Sequence, residues 1–270
     1  MSKLTVIIAA YNAEKYIEKC LNSFLGSAEG VDVVAVNDAS TDGTGKILEK
    51  FKDKIKIITL EKNCGCIART RNVGLREAQG DYITFLDADD WYEPGAVKKI
   101  INYIDRFQPD ILKYNYSRVY ADGTVTKSSD GTEKFRYVQK LNFRRMVYPY
   151  FVNGIGLNSV CCAAFKRKML SGMEFSDKFR TAEDAVFALE AYTRAQSVLF
   201  TGEYLYCYYQ SGSGLTGNAV SIFHKYACNF RLGAAIIKYL PQWGMNTIGW
   251  RMRTLSRPIR ITADKLKRMR

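Results

Sequence analysis

The 270 residues carry 40 Lys and Arg against 27 Asp and Glu, a net charge of +13, with 47% hydrophobic residues. That length and apolar content suit one large domain with an appendage. With a single histidine, His224, a Ser/His/Asp triad, a Cys/His dyad and a multi-histidine metal centre are not expected, so acid–base work is expected to fall to carboxylates.

The opening MSKLTVIIAAYN has a short apolar run that stops at Tyr11-Asn12 without a small-residue cleavage site. It is expected to be a buried strand and not a signal peptide. No run approaches the roughly 18–20 apolar residues of a membrane span. Seven cysteines, an odd number without paired CxxC spacing, read as reduced cytosolic thiols and not as a zinc site. The chain is therefore expected in the cytoplasm, with membrane association only peripheral.

The first 120 residues alternate apolar runs with helical spacing. Leu4–Ala10, Val31–Val36, Ile55–Leu60, Tyr82–Leu86 and Asp110–Tyr116 are predicted strands, several apolar on consecutive positions as in a parallel sheet covered on both faces. Ala13–Leu25, Thr44–Phe51, Ile67–Ala78 and Gly95–Phe107 are predicted helices between them. The order implies right-handed βαβ crossovers and an α/β sandwich with a mostly parallel sheet. Ligands bind such sheets at the carboxyl ends of the strands.

Beyond Tyr116 the pattern is less regular: an Asp122-Gly123 turn in a hairpin, a helix near Leu141–Phe151, a strand over Ser159–Phe165, a helix over Ala182–Ala195 and a strand over Tyr204–Tyr209. Residues 221–270 hold 11 Lys or Arg and one acid, which places +10 of the net charge in a basic helical tail. Its last stretch, 250–270, is expected to be partly unstructured. Such a tail suits an anionic membrane surface, Trp243, Ile248, Trp250 and Leu255 adding apolar contact; a helical cap with a solvated basic face is the plainer alternative. Nucleic acid is not an expected partner, because the body carries an acidic strand tip where a basic, aromatic surface would be needed.

Three acidic clusters stand at strand or helix ends. Asp38 follows the second strand, where it could accept from a ring N–H of a nucleobase or merely open the turn and cap that run to Asp42. FLDADDWY ends the fourth strand; if the backbone stays extended, Asp87 and Asp89 face one site, a repulsive pair that a Mg²⁺ or Mn²⁺ ion would relieve. RTAEDAVF puts Glu183 and Asp184 at a helix start, favourable for the helix dipole and equally for a general base. Arg69 and Arg71 in NCGCIARTRNVGL could meet a diphosphate or a base, or form surface ion pairs.

In their order, AAYN, VNDASTDGT, NCGCIARTRNVGL, DYITFLDADDWY and the ED-bearing helix resemble family 2 of the glycosyltransferases, over about residues 3–215. The resemblance implies a GT-A fold with a nucleotide-sugar-binding half over 1–115, an acceptor-binding half over 116–220 and the tail over 221–270. It implies that Asp38 contacts the nucleobase with Ala9, Tyr11, Asn12 and Arg71 near it, and that Asp87-Ala88-Asp89 is the DxD motif, its acids meeting the ribose and a Mg²⁺ or Mn²⁺ ion bound with the diphosphate. Asp184 would be the catalytic base, oriented by Glu183, and one displacement would invert the anomeric centre. The implied partners are a nucleotide-sugar donor, with UDP favoured, and a glycan or lipid-linked acceptor.

Relatives often carry a His or Arg diphosphate clamp where YYQSGSGLT here offers Gln210 and Ser211. No QxxRW motif marks a processive synthase. A nucleotidyltransferase-like enzyme and a non-catalytic nucleotide-sugar-binding protein are the alternatives; the former usually has a glycine-rich loop where this chain has AAYNAEKY.

Overall fold

The computed structural model describes residues 2–26, 29–128, 136–153, 157–179, 182–210, 222–257 and 259. β1 (Leu4–Ala10) is buried along nearly its whole length, and β2 (Val31–Asn37) joins it in parallel, apolar on successive positions. A strand buried on both faces has no polar side to alternate with. Between and after them come α1 (Ile17–Asn22), α2 (Thr44–Glu49), β3 (Lys56–Thr59), α3 (Ile67–Glu77) and β4 (Tyr82–Asp87). Helix α1 is shorter than the apolar spacing suggests because the Ala13 carbonyl accepts from both Tyr16 N and Ile17 N, winding residues 13–16 into a turn. Helix α3 lies close on the sheet: a Cβ at Gly74 would sit 2.4 Å from Cγ2 of Ile7.

The chain continues through β5 (Trp91–Tyr92), α4 (Ala96–Phe107), β6 (Ile111–Tyr120), β7 (Val125–Ser128), β8 (Arg136–Gln139), α5 (Phe143–Met146) and α6 (Tyr148–Asn153). Then follow β9 (Ala163–Lys166), α7 (Glu183–Arg194), β10 (Ser197–Gln210), α8 (Ile222–Tyr239) and α9 (Ile248–Leu255). The strands form one sheet in the order β3-β2-β1-β4-β9-β6-β10-β5, with β7 on β6 and β8 on β10. β3-β2-β1-β4 and the β6-β10 pair are parallel, and β9 runs antiparallel between β4 and β6. A short strand from late in the chain thus joins the two parallel parts of a mixed α/β sandwich.

The later elements depart from the simple pattern for local reasons. The single helix expected near Leu141–Phe151 is broken at Val147 (φ −118°, ψ −58°). Pro149 sits in the first turn of α6, where its missing N–H is tolerated but cannot extend the preceding ladder. Strand β10 starts seven residues before the predicted Tyr204, and its register with β6 shifts around Gly202 (φ +71°), which hides the alternation.

One contiguous core runs from Leu4 to Met245. Leu232, Ile236, Leu240, Trp243 and Met245 belong to it, so α8 and the residues after it pack on the body. Trp243 stacks on Tyr148 with ring centroids 4.4 Å apart and donates its indole N–H to Thr193 Oγ1 at 2.8 Å. This corrects its placement as a membrane-facing residue: a large ring with one donor is better satisfied in this slot than at a surface. Of the stretch expected to be partly unstructured, residues through Leu255 form α9, while 258 and 260–270 lie outside the described residues. Among the described residues no helix is long and apolar enough to cross a membrane.

Candidate active site

The carboxyl ends of β1, β2 and β4 lie side by side. Ala9 pairs with Val36 on one flank and Asp87 on the other, and Asp38 N donates to the Ala10 carbonyl at 2.8 Å. All three strands therefore deliver their following loops to one edge of the sheet, as parallel topology dictates.

The loop after β1 is locked to the loop after β2. Asn12, held at φ +48°, accepts on Oδ1 from Thr41 N at 2.8 Å, and its own N–H donates to Ser40 Oγ at 3.1 Å. Tyr11 stays half exposed beside it. Asp42 accepts from Thr44 N at 2.9 Å and from Glu14 N at 3.1 Å, so the local turn that leads into α2 is held by Asp42. Asp38 is free of that duty. Its buried carboxylate accepts from Cys64 N at 2.9 Å and Asn63 Nδ2 at 3.2 Å, and the Cys64 thiol lies 3.2 Å from Oδ2. Cys64 had no sequence signal as a partner, because a backbone N–H donor in a loop is specified by no side chain, and Asn63 lies 25 residues away in a separate loop.

The second grouping centres on Arg71. Its buried guanidinium donates through Nη2 to Asp87 Oδ1 at 2.7 Å and through Nη1 to Asp184 Oδ1, with Glu183 Oε1 at 3.4 Å. The Phe175 ring lies 5.5 Å away. Burial works against that charge, but Asp184 and Asp87 outweigh it and hold the arginine protonated. Arg71, expected near the nucleobase, is thus engaged with the strand-tip acid and the helix-start pair. Its partners Glu183 and Asp184 come from 112 and 113 residues along the chain. Arg69 points elsewhere and pairs with Asp177 at 2.8 Å on the surface.

One cation among three carboxylates leaves an excess of negative charge. Burial, then the neighbouring Asp184, push the Glu183 carboxyl up to about 7. Its Oε2 is buried with no partner among the described residues. Burial also raises Asp184, Arg71 opposing it, and a backbone bond from Val160 supports the carboxylate.

At the tip of β4 the backbone does not stay extended. Asp90 N donates to the Asp87 carbonyl at 3.0 Å, closing a turn at Ala88 and Asp89, so the alternation expected to align Asp87 with Asp89 stops at the strand end. The three acids acquire separate environments. Asp87 holds Arg71; Asp90 is buried and accepts from Tyr206 OH at 2.5 Å and Tyr209 N at 2.7 Å. Among the described residues no side chain donates to Asp89, and burial with the nearby Asp87 charge raises its carboxyl to about 6. Ala88 between them is buried. An open groove of about 420 Å³, reached by Thr5, Asp32, Lys54 and Glu77, lies at the amino ends of β1–β3 and includes none of these acids.

The sequence profile of Glycosyl transferase family 2 matches residues 5–173, from β1 through the antiparallel β9. The chain belongs to this family. It is 31% identical over 230 residues to the poly(ribitol-phosphate) beta-N-acetylglucosaminyltransferase TarS of Staphylococcus aureus, covering 82% of this chain and 38% of that protein. It is 28% identical over 218 residues to the glycosyltransferase GlyA of Streptococcus pneumoniae, 76% of this chain and 30% of that one. The chain thus spans about a third of the length of these relatives. The crystal structure of residues 1–349 of S. aureus TarS in complex with UDP-GlcNAc superposes with a TM-score of 0.71 at 28% identity, over 87% of this chain and 66% of that fragment. The GT-A-type sandwich expected from the family motifs is the fold observed.

Proposed function

We propose that this family 2 chain is an inverting glycosyltransferase that moves a sugar from a UDP-sugar to a hydroxyl of a glycan or lipid-linked acceptor, in surface-polysaccharide synthesis. Residues 1–115 bind the donor, 116–220 the acceptor, and 221–270 hold the protein peripherally at the cytoplasmic membrane face. One relative, TarS, bound to UDP-GlcNAc in its crystal structure and named for poly(ribitol-phosphate), supports both the donor and the acceptor class. The observation that carries the reading is the double engagement of Arg71, which sets the strand-tip acid Asp87 and the helix-start acid Asp184 on the two nitrogens of one guanidinium. A base for the acceptor and an acid for the donor then stand within a few ångströms of a common centre.

Asp38 accepts the ring N–H of the base, its orientation held by Cys64 and Asn63, with Ala9, Tyr11 and Asn12 forming the adjoining wall. Asp184 takes the proton from the attacking hydroxyl, and burial keeps it more basic than an exposed aspartate. Glu183, raised to about 7 and so present in both protonation states near neutrality, donates or accepts at the acceptor through its Oε2, which has no partner among the described residues. Attack opposite the leaving diphosphate inverts the anomeric carbon.

The donor set fits a hard divalent ion. Among the described residues Asp89 offers a carboxylate to which no side chain donates, with the Asp87 charge near it, and no cage of three candidate ligands is gathered. Mg²⁺ and Mn²⁺ are commonly held in this way, by one or two carboxylates together with substrate phosphate oxygens. Such an ion, when bound, neutralises charge on the leaving diphosphate.

Asp184→Asn tests the assignment with a panel of UDP-, GDP- and dTDP-sugars. Donor binding is expected to persist while transfer falls by about 10²–10⁴. Turnover within a few-fold of the parent would remove Asp184 from the mechanism, and donor binding by the parent without turnover on any acceptor would favour a binding protein.

A further inference from the structure

Helix α9 is built the wrong way round for a helix in water. A surface helix buries its apolar stripe and exposes its polar one. Here Thr254 and Arg257 are 0% and 1% exposed, and Trp250 packs partly buried against the core. Arg257 donates to Asn229 Oδ1 at 2.9 Å, and Thr254 Oγ1 to the Trp250 carbonyl at 2.8 Å. On the other side, Ile248, Met252 and Leu255 are 82%, 61% and 45% exposed. Their spacing of four and three residues puts all three on one face. Ile259, four residues further, is 61% exposed as well.

The buried side of α9 is thus the one that carries Thr254, with Arg257 just past the helix end bonded to α8, and the apolar side is left outward. Arg251 and Arg253 stand exposed on the same helix, within a segment that carries +10 of the chain's net charge. A second copy of this chain would bring an equal positive charge to the contact and be repelled. A soluble polyanion would satisfy the arginines and leave the isoleucine, methionine and leucine in water. An apolar stripe a few turns long among basic residues matches the boundary between anionic headgroups and acyl chains, where apolar burial and charge attraction add.

We propose that the outward face of α9, through Ile248, Met252 and Leu255, is an interfacial docking surface that lies in the headgroup layer of an anionic lipid bilayer. This deepens the peripheral placement of residues 221–270 and rests on it. It replaces Trp243, which the core has taken, with a specific stripe, and adds an apolar component that salt does not screen.

The test uses the full chain with phosphatidylglycerol vesicles and phosphatidylcholine vesicles, in flotation at low and high salt. The parent is expected to float with the anionic vesicles, more weakly as salt rises. The triple variant Ile248→Ser, Met252→Ser, Leu255→Ser removes exposed side chains only and should retain the parent's melting temperature, while its vesicle affinity falls at least about tenfold. Anionic binding undiminished in the triple variant would overturn the stripe and leave the basic charges as the anchor. No binding by the parent to either vesicle would overturn both the stripe and the peripheral placement. Concentration-dependent self-association in sedimentation velocity that the triple variant abolishes would reassign the face to a second copy.

Discussion

Glu183→Gln should make the protein more stable, which is the opposite of what removing a buried charged residue usually does. The Glu183 carboxyl, ordinarily near 4.5, is raised to about 7 by burial and by Asp184. The folded state therefore binds more protons than the unfolded state between those values. By linkage, stability falls as pH rises through that window and levels off above it. A carboxyl displaced that far costs about 3 kcal/mol when fully ionised. The amide loses a 3.4 Å contact to Arg71 and still has to place an N–H2 group where Oε2 now lacks a partner, so the net gain at pH 8 should be about 1–2 kcal/mol. Urea denaturation of parent and variant from pH 4 to 8 measures this. The curves should meet near the acid end and separate as pH rises, with transfer activity reduced in the variant. A variant equal to or less stable than the parent at pH 8, with the same pH slope, would refute the account of Glu183.

Arg71→Met leaves Asp87, Asp184 and Glu183 without their shared cation and should cost about 3–5 kcal/mol, measured by denaturant unfolding; a loss below 1 kcal/mol would mean the cluster relaxes by admitting water. Asp89→Ala should keep the fold, since among the described residues no side chain donates to Asp89, and should abolish the increase in UDP affinity on adding Mn²⁺. Calorimetry showing the parent's metal dependence in that variant would transfer the ion to other ligands.

The α/β class was legible because parallel strands buried on both faces, as β1 and most of β2 are, read as near-continuous apolar runs. Helix α1, the Leu141–Phe151 region and β10 were read less well, since a turn at Ala13, a proline at 149 and a register shift at Gly202 each interrupt a period without changing its composition. The individual site acids were all visible as residues at the ends of elements. Their relations were not: Asp87 and Asp89 look like a matched pair until the backbone turns after β4.

What the sequence by itself determined is therefore what chain-local chemistry encodes: the alternation of strands and helices, acids at their tips, a single histidine and the charge gathered in the last 50 residues. Tertiary structure alone decided that Arg71 serves Asp87, Glu183 and Asp184 together, because it meets the last two across more than a hundred residues of chain. It also decided that Trp243 is core while Ile248 faces outward, since amphipathicity states that a helix has two faces but only the packed neighbours choose which one is covered.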